Sequence, residues 1–197
     1  MVEAFVKVSE ASRLLLEKGL VPATGAEALG MVAHTLGVHR AFIFENRAPS
    51  FSTKGRFVAD LRHAWAKPGI ASPLANASLR TFAFRDFAPG WADMLEGGLA
   101  VACPTAEAPV MMRELLVQQG VHSSLLCPIT PAREWWGFIG FEDCERARVW
   151  RPEEISILKS LARAVGASVR QAQMRASLNQ VRSTLRGAVL QTAPSDS

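Results

Sequence analysis

Apolar residues recur at spacings of three and four at the start of the chain, through Phe5, Val8, Ala11 and Leu15, with Leu14 and Leu16 widening the stripe. That period is helical, and Gly19 is placed to end the helix. A second helix is expected over residues 24–36, with Ala28, Met31, Val32 and Leu36 on its apolar face. Thr24, followed by Glu27 three residues on, has the form of a capping box. The period then falls from 3.6 to 2. Residues 40–45 are a short β-type run, and residues 57–65 alternate, with Phe57, Ala59, Leu61, His63 and Trp65 on one side. Between them, residues 46–55 are rich in Pro, Ser, Thr and Gly and read as a loop.

The middle is less regular. Residues 73–87 read as loop with a weak strand, and residues 89–95 as a short helix stopped by Gly97 and Gly98. A brief strand over 99–103 ends at Pro104. An amphipathic helix over 108–119 follows, with Val110, Met111, Leu115 and Leu116 inward and Gly120 as its stop. Strands over 121–129 and 135–141 flank a turn at 130–134. The expected core is Phe42, Phe44, Leu61, Leu125, Ile129, Phe138 and Phe141.

The last helix starts at Pro152, a favoured first-turn residue, with Glu153 and Glu154 at the positive end of the helix dipole. No proline interrupts it before Gln191, a length of roughly 60 Å at about 1.5 Å per residue. Ile155, Leu158, Ala162, Val165, Val169, Ala172 and Ala176 form one apolar seam, and Met174, Leu178, Val181, Leu185 and Ala188 form another in shifted phase. This is a coiled-coil pattern with a change of register. The chain thus divides into an N-terminal helix (1–20), a domain (21–171) and a C-terminal helix with its tail (172–197).

Composition narrows the class. With 197 residues, 49% apolar and 20% charged, the chain can build one core with extensions. Its apolar runs are too short for a membrane span, and the opening MVEAFVKVSE is not a signal peptide, so a cytoplasmic domain is expected. Cys103, Cys127 and Cys144 are odd in number and lack paired CxxC spacing, which points to free thiols. The formal charge of +4 sits in the tail: from Ile155 onward, Lys159, Arg163, Arg170, Arg175, Arg182 and Arg186 face Asp196 alone. No aromatic residue is interleaved with those arginines, which argues against a single-strand nucleic-acid platform. No nucleic-acid partner is expected.

Three stretches carry a family resemblance. Leu61-Arg62-His63-Ala64-Trp65 with Pro68-Gly69-Ile70 resembles a strand-and-loop signature of bacterial GAF domains. Residues 120–129, GVHSSLLCPI, resemble the family's G-V-x-S-x-L-x-x-P-I strand. Residues 135–143, WWGFIGFED, with Arg148, Trp150 and Glu154, resemble the W-G-F-I-G-F-D…R-x-W…E close of the domain. The resemblance covers about residues 25–171. It implies an α+β fold: a GAF-like central antiparallel sheet with helices on both sides and a long C-terminal coiled-coil helix. It also implies a sensor serving an effector module such as a histidine kinase or diguanylate cyclase, whose own motifs are absent from this chain. The N-K-x-F-x-D-E pattern of nucleotide-binding members is missing. His122 follows Val121 instead of joining the Cys-His pair of bilin binders.

By the same resemblance, the helices and strands that enclose the pocket carry Trp65, Trp91, Met94, Met111, Leu115 and His122 as candidate ligand contacts. Arg62, Arg80 and Arg85 are further candidates to hold an anion. Glu142, Asp143 and Glu145 form an acidic cluster that reads as a solvated turn. No Ser-His-Asp set, phosphate loop or HExxH motif is present, so no catalytic residue, metal or cofactor is assigned. Three readings compete. One is a regulatory sensor that is a parallel homodimer through its terminal helices. Another is an enzyme like the free methionine sulfoxide reductases, using Cys103 or Cys127. The third is a dimerisation module without ligand.

Overall fold

The computed structural model describes residues 2–47 and 57–191, with side chains to residue 186. Its helices are α1 (Val2–Lys18), α2 (Pro22–Leu36), α3 (Ala77–Arg80), α4 (Phe84–Phe87), α5 (Pro89–Glu96), α6 (Val110–Gln118) and α7 (Pro152–Gln191). The strands are β1 (Arg40–Arg47), β2 (Val58–Ala66), β3 (Thr81–Phe82), β4 (Val101–Pro104), β5 (Ser123–Ile129) and β6 (Gly137–Asp143). They form one antiparallel sheet in the order β3-β2-β1-β6-β5-β4. Helices α1, α2 and the first half of α7 cover one face, and the short helices α3 to α6 cover the other. The α+β architecture expected from sequence is the one observed. Most of the 46–55 loop lies outside the described residues.

All seven expected core residues are buried, at 9% exposure or less. The sheet divides them. Leu125, Ile129 and Phe141 join Leu15, Leu29, Ile43, Ile157, Leu158 and Leu161 under the long helices. Phe42, Phe44, Leu61 and Phe138 join Phe84, Trp91, Leu95 and Met112 under the short ones.

Local geometry corrects three expectations. Helix α2 begins at Pro22, which needs no amide partner and presets a helical φ, so Thr24 is not its cap. The Thr24 hydroxyl instead reaches back, accepting the Val21 amide at 3.1 Å and donating to the Gly19 carbonyl at 2.5 Å.

The single face expected for β2 is split by a bulge. Ile43 pairs with His63 but Phe44 with Leu61, which leaves Arg62 as the extra residue. An extra residue flips every later side chain to the opposite face. Ala59, Leu61 and Ala64 therefore face the short helices, while Trp65 packs on the other side. There the indole meets α2 at Gly30, where a Cβ would stand 2.7 Å from the ring.

On α6 the inward residues are Met112 and Leu116, with Leu115 partly buried; Val110 and Met111 are 59% and 52% exposed. Both stripes have helical spacing. The choice between them is made by a tertiary contact: the Arg40 guanidinium donates to the Gln119 carbonyl at 2.9 Å and sets the helix on the sheet.

The residues Asp143, Arg148, Trp150 and Glu154 converge where β6 hands over to α7. Asp143 accepts the Glu145 and Arg146 amides, both at 3.0 Å. Arg148 donates to the Leu36 carbonyl at 2.9 Å and pairs with Glu154, while Glu154 accepts the Arg151 amide at 2.9 Å. The Trp150 indole donates to the Ser123 hydroxyl at 2.8 Å. Burial works to raise the Asp143 and Glu154 carboxyls, yet these amides and arginines hold both below their ordinary values. The acidic cluster is therefore not a solvated turn: Glu142 and Asp143 are buried, and only Glu145 is exposed.

Helix α7 packs on the sheet as far as Val169; from Ala172 to Arg186 every side chain is exposed. None of the helices among the described residues is long and apolar enough to cross a membrane.

Candidate functional site

Alternation along three adjacent strands builds a pocket floor. Arg40, Phe42 and Phe44 share one side of β1; Phe138, Gly140 and Glu142 share one side of β6; Ser124 and Leu126 share one side of β5. Register aligns them into rows, with Arg40 opposite Glu142 and Glu142 opposite Ser124. At the far end Phe44 stands opposite Phe138. The floor is thus polar at one end and aromatic at the other.

The roof comes from the short elements: Pro73, Leu79 of α3, Phe82, Phe84 of α4, Trp91 of α5, and Met112, Leu115, Leu116 and Gln119 at α6. Aromatic contacts tie the roof to the floor. Phe84 lies 4.6 Å from Phe138 between ring centres, Phe44 stacks on Phe138 at 5.0 Å, and Phe82 meets Phe44, Phe84 and Phe87 edge-on at 5.4, 5.9 and 5.6 Å. Outside, Arg85 pairs with Asp93 and, at 2.6 Å, with Glu96, stapling α4 to α5. The rings leave a cavity of about 50 Å³.

The polar end is unusual in its burial. Arg40, Ser124 and Glu142 are 4%, 2% and 7% exposed. Arg40 uses one amine on Gln119, and its nearest approach to the Glu142 carboxylate is 3.6 Å. Arg40 Nε and Ser124 Oγ have no hydrogen-bond partner among the described residues. Burial pushes the Glu142 carboxyl up to about 7, against the pull of Arg40.

Of the six residues singled out from sequence, Trp91 and Leu115 line this cavity. Met94 and Met111 sit on the outer sides of α5 and α6, 39% and 52% exposed. Trp65 is across the sheet because of the bulge, and His122 is exposed just before β5. Arg62 pairs with Glu45 at 3.1 Å, and Arg80 is exposed. Arg40 and Ser124 are not among the sequence candidates, and Glu142 is there only as part of a solvated acidic turn, although period-two alternation in Arg40-Ala41-Phe42-Ile43-Phe44 places Arg40 on the side of the two phenylalanines.

The thiols are free and all pushed up by burial, Cys127 to about 12 and Cys144 to about 11. Cys103 packs with the short-helix cluster and Cys127 with the long-helix cluster, on opposite faces of the sheet.

This order of strands and helices, with its pocket on the short-helix face, has known counterparts. The model of the GAF domain matches residues 23–169. The chain belongs to the GAF family. Among curated relatives, the GAF chain is 28% identical over 159 residues to the methanogenesis regulatory histidine kinase FilI of Methanothrix harundinacea, covering 81% of this chain and 18% of that protein. It is 32% identical over 65 residues to the circadian input-output histidine kinase CikA of Thermosynechococcus vestitus, covering 33% of this chain and 9% of that one. It thus spans under a fifth of each kinase. Among solved structures, the phycocyanobilin-bound GAF domain of a cyanobacterial phytochrome superposes with a TM-score of 0.68 at 16% identity, covering 87% of this chain and 96% of that one. The chromophore-binding domain of the bacteriophytochrome RpBphP3 from R. palustris gives 0.65 at 14%, covering 86% and 62%. These two share the fold.

Proposed function

We propose that this GAF domain is a regulatory sensor that takes a small molecule into the aromatic cavity and relays its presence through α7 to an effector, a histidine kinase by the kinship of its relatives. The observation that carries this reading is the continuity of β6. Glu142 borders the cavity, and the next residue, Asp143, belongs to the network with Arg148 and Glu154 at the start of α7. A ligand that shifts the end of β6 shifts the base of the long helix. Residues 21–171 are then the sensor and residues 172–197 the signalling helix and tail, in a cytoplasmic protein whose cysteines stay reduced.

The effector end is a parallel homodimer. Met174, Leu178, Val181 and Leu185 are 57%, 63%, 57% and 61% exposed on the far half of α7. An apolar seam on a lone helix is poorly stabilised in water, and pairing with a second copy buries it. Two seam phases, one ending near Val169 and one beginning near Met174, offer alternative engagements for a switch. The N-terminal helix α1 lies against α7 and exposes Phe5 and Leu16, which can join the same bundle.

The ligand is far smaller than the bilins of the structural neighbours, because phenylalanine rings occupy the face. The reductase reading loses support: a nucleophilic thiol needs a lowered pKa, and Cys103 and Cys127 are raised and on opposite faces. Light scattering on the full chain at micromolar concentration should give a dimer for the wild type and a monomer for Leu178→Glu/Leu185→Glu. A screen of single-ring compounds should raise the melting temperature of the wild type, since binding the folded state alone stabilises it, and Trp91→Ala should lose that response. A wild-type monomer would remove the relay. A dimer whose hits are indifferent to Trp91→Ala would place the ligand outside this cavity, and a dimer without hits would leave only a ligand-free dimerisation module.

A further inference from the structure

We infer that the row Arg40–Glu142–Ser124 is the recognition end of this cavity, and that its ligand is a small monocarboxylate with a single-ring apolar body. The inference rests on the sensor reading above and deepens it.

The chemistry of the head group follows from what is unmatched. Arg40 presents a fixed fork of five N–H donors. One serves the Gln119 carbonyl, and Nε has no partner among the described residues. The Ser124 hydroxyl, at the other end of the row beyond Glu142, is likewise unpartnered among the described residues and nearly fully buried. A buried polar group without a hydrogen bond is costly, so the site calls for a molecule that accepts several hydrogen bonds at once. A carboxylate does this in the geometry that a guanidinium prefers. Charge points the same way. Glu142 is poised to hold its proton near neutral pH, which leaves Arg40 without a full counterion and gives the ligand an O–H donor as well. A cationic ligand would meet the guanidinium. A phosphate would bring about two charges to one arginine. A molecule with no polar head would leave both orphan atoms unmatched.

The body follows from the walls and the volume. Beyond the polar row the lining is Phe42, Phe84, Trp91, Leu126 and Phe138. One water needs about 10–15 Å³ of such space and about 30 Å³ of liquid. The cavity of about 50 Å³ therefore corresponds to roughly 100–150 Å³ of solute, the bulk of one six-membered ring with a short substituent.

Sodium benzoate, benzyl alcohol and sodium acetate separate head from body. Titration calorimetry on the full chain at pH 7 should show benzoate binding about tenfold or more tightly than either control, the margin typical of a charge-assisted hydrogen bond. Arg40→Gln should abolish that preference. Because Arg40 also holds α6, Ser124→Ala is the second variant: it should weaken benzoate several-fold, leave benzyl alcohol unchanged and fold normally. Leu126→Phe, which fills the cavity, should abolish binding of both rings. Benzoate and benzyl alcohol binding equally, with Ser124→Ala indifferent and Leu126→Phe blocking both, would overturn the carboxylate and leave the pocket standing. No ring compound binding, or binding that survives Leu126→Phe, would overturn the pocket itself.

Discussion

The two faces of the sheet are packed by different rules. Under α1, α2 and α7 the filling is aliphatic, with Leu15, Leu29, Ile139, Ile157, Leu158 and Leu161 at 0% exposure. Three long helices there satisfy their own backbone and offer continuous apolar stripes, so the layer closes. Under α3 to α6 the filling is aromatic, the covering helices are four to nine residues long, and a cavity remains, with Arg40 Nε, Ser124 Oγ and Trp135 Nε1 unpartnered among the described residues against His63 Nδ1 on the other face. Short helices contribute few residues each and cannot interdigitate with a flat floor of rings. One face is closed; the other keeps a cavity, and the two lie a single sheet apart.

The sharpest test of that difference is a large-to-small change on the closed face. Leu161→Ala should cost about 2–5 kcal/mol, the range for a fully buried leucine, read as a shift in urea midpoint at constant slope. A loss under 1 kcal/mol would mean that the closed face is not closely packed.

Small-to-large changes compare the faces directly. Leu29→Phe, in the closed layer, should cost about 1–3 kcal/mol by overpacking. Leu126→Phe borders the cavity and should cost less than about 1 kcal/mol, because the ring has space to enter. Equal costs would erase the distinction.

A pH series probes the polar end. Burial pushes the Glu142 carboxyl up to about 7 in the fold, against an ordinary value of 4.5. Its contribution is therefore complete below 4.5 and is lost as pH rises toward 7. Asp143 and Glu154 are lowered, so their contribution is present above their ordinary values of 3.8 and 4.5 and is lost on acidification. Urea midpoints should fall between pH 5 and 7.5 in the wild type and stay level in Glu142→Gln. A variant that tracks the wild type would show that Glu142 is not the titrating group.

The smallest effect on the domain itself is expected beyond both faces. Arg182→Gln, exposed on α7 and outside the apolar seam, should change the unfolding midpoint by less than about 0.5 kcal/mol. A larger loss would mean that the far half of α7 is covered by something that stabilises the folded domain.

Much of this was legible in the residues. The stripe from Val8 to Leu15, the alternation of Phe42 and Phe44, and the start of α7 at Pro152 each carry a local period or cap, and each element formed where that signal stands. The short-helix face was read poorly. Residues 73–87 have no sustained period; the short elements there, α3, β3 and α4, bring Phe82, Phe84 and Phe87 into the ring cluster with Phe44 and Phe138. An alternating string puts Trp65 on the side of Leu61, because a bulge at Arg62 leaves no mark in it. Arg40 opens a β-type run, and its burial and its contact with the end of α6 are tertiary.

The sequence alone therefore determined the longer helices and the main strands, the seven core residues, the family and the exposed second seam of α7. These follow from periodicity and from motifs whose partners are near in the chain. The tertiary structure decided which side each residue serves: the flip at Arg62, the inward stripe of α6, the split of the core into two layers, and the meeting of Arg40, Ser124 and Glu142. Those depend on register between strands up to a hundred residues apart, where a shift of one position exchanges core for pocket, and no local pattern contains that choice.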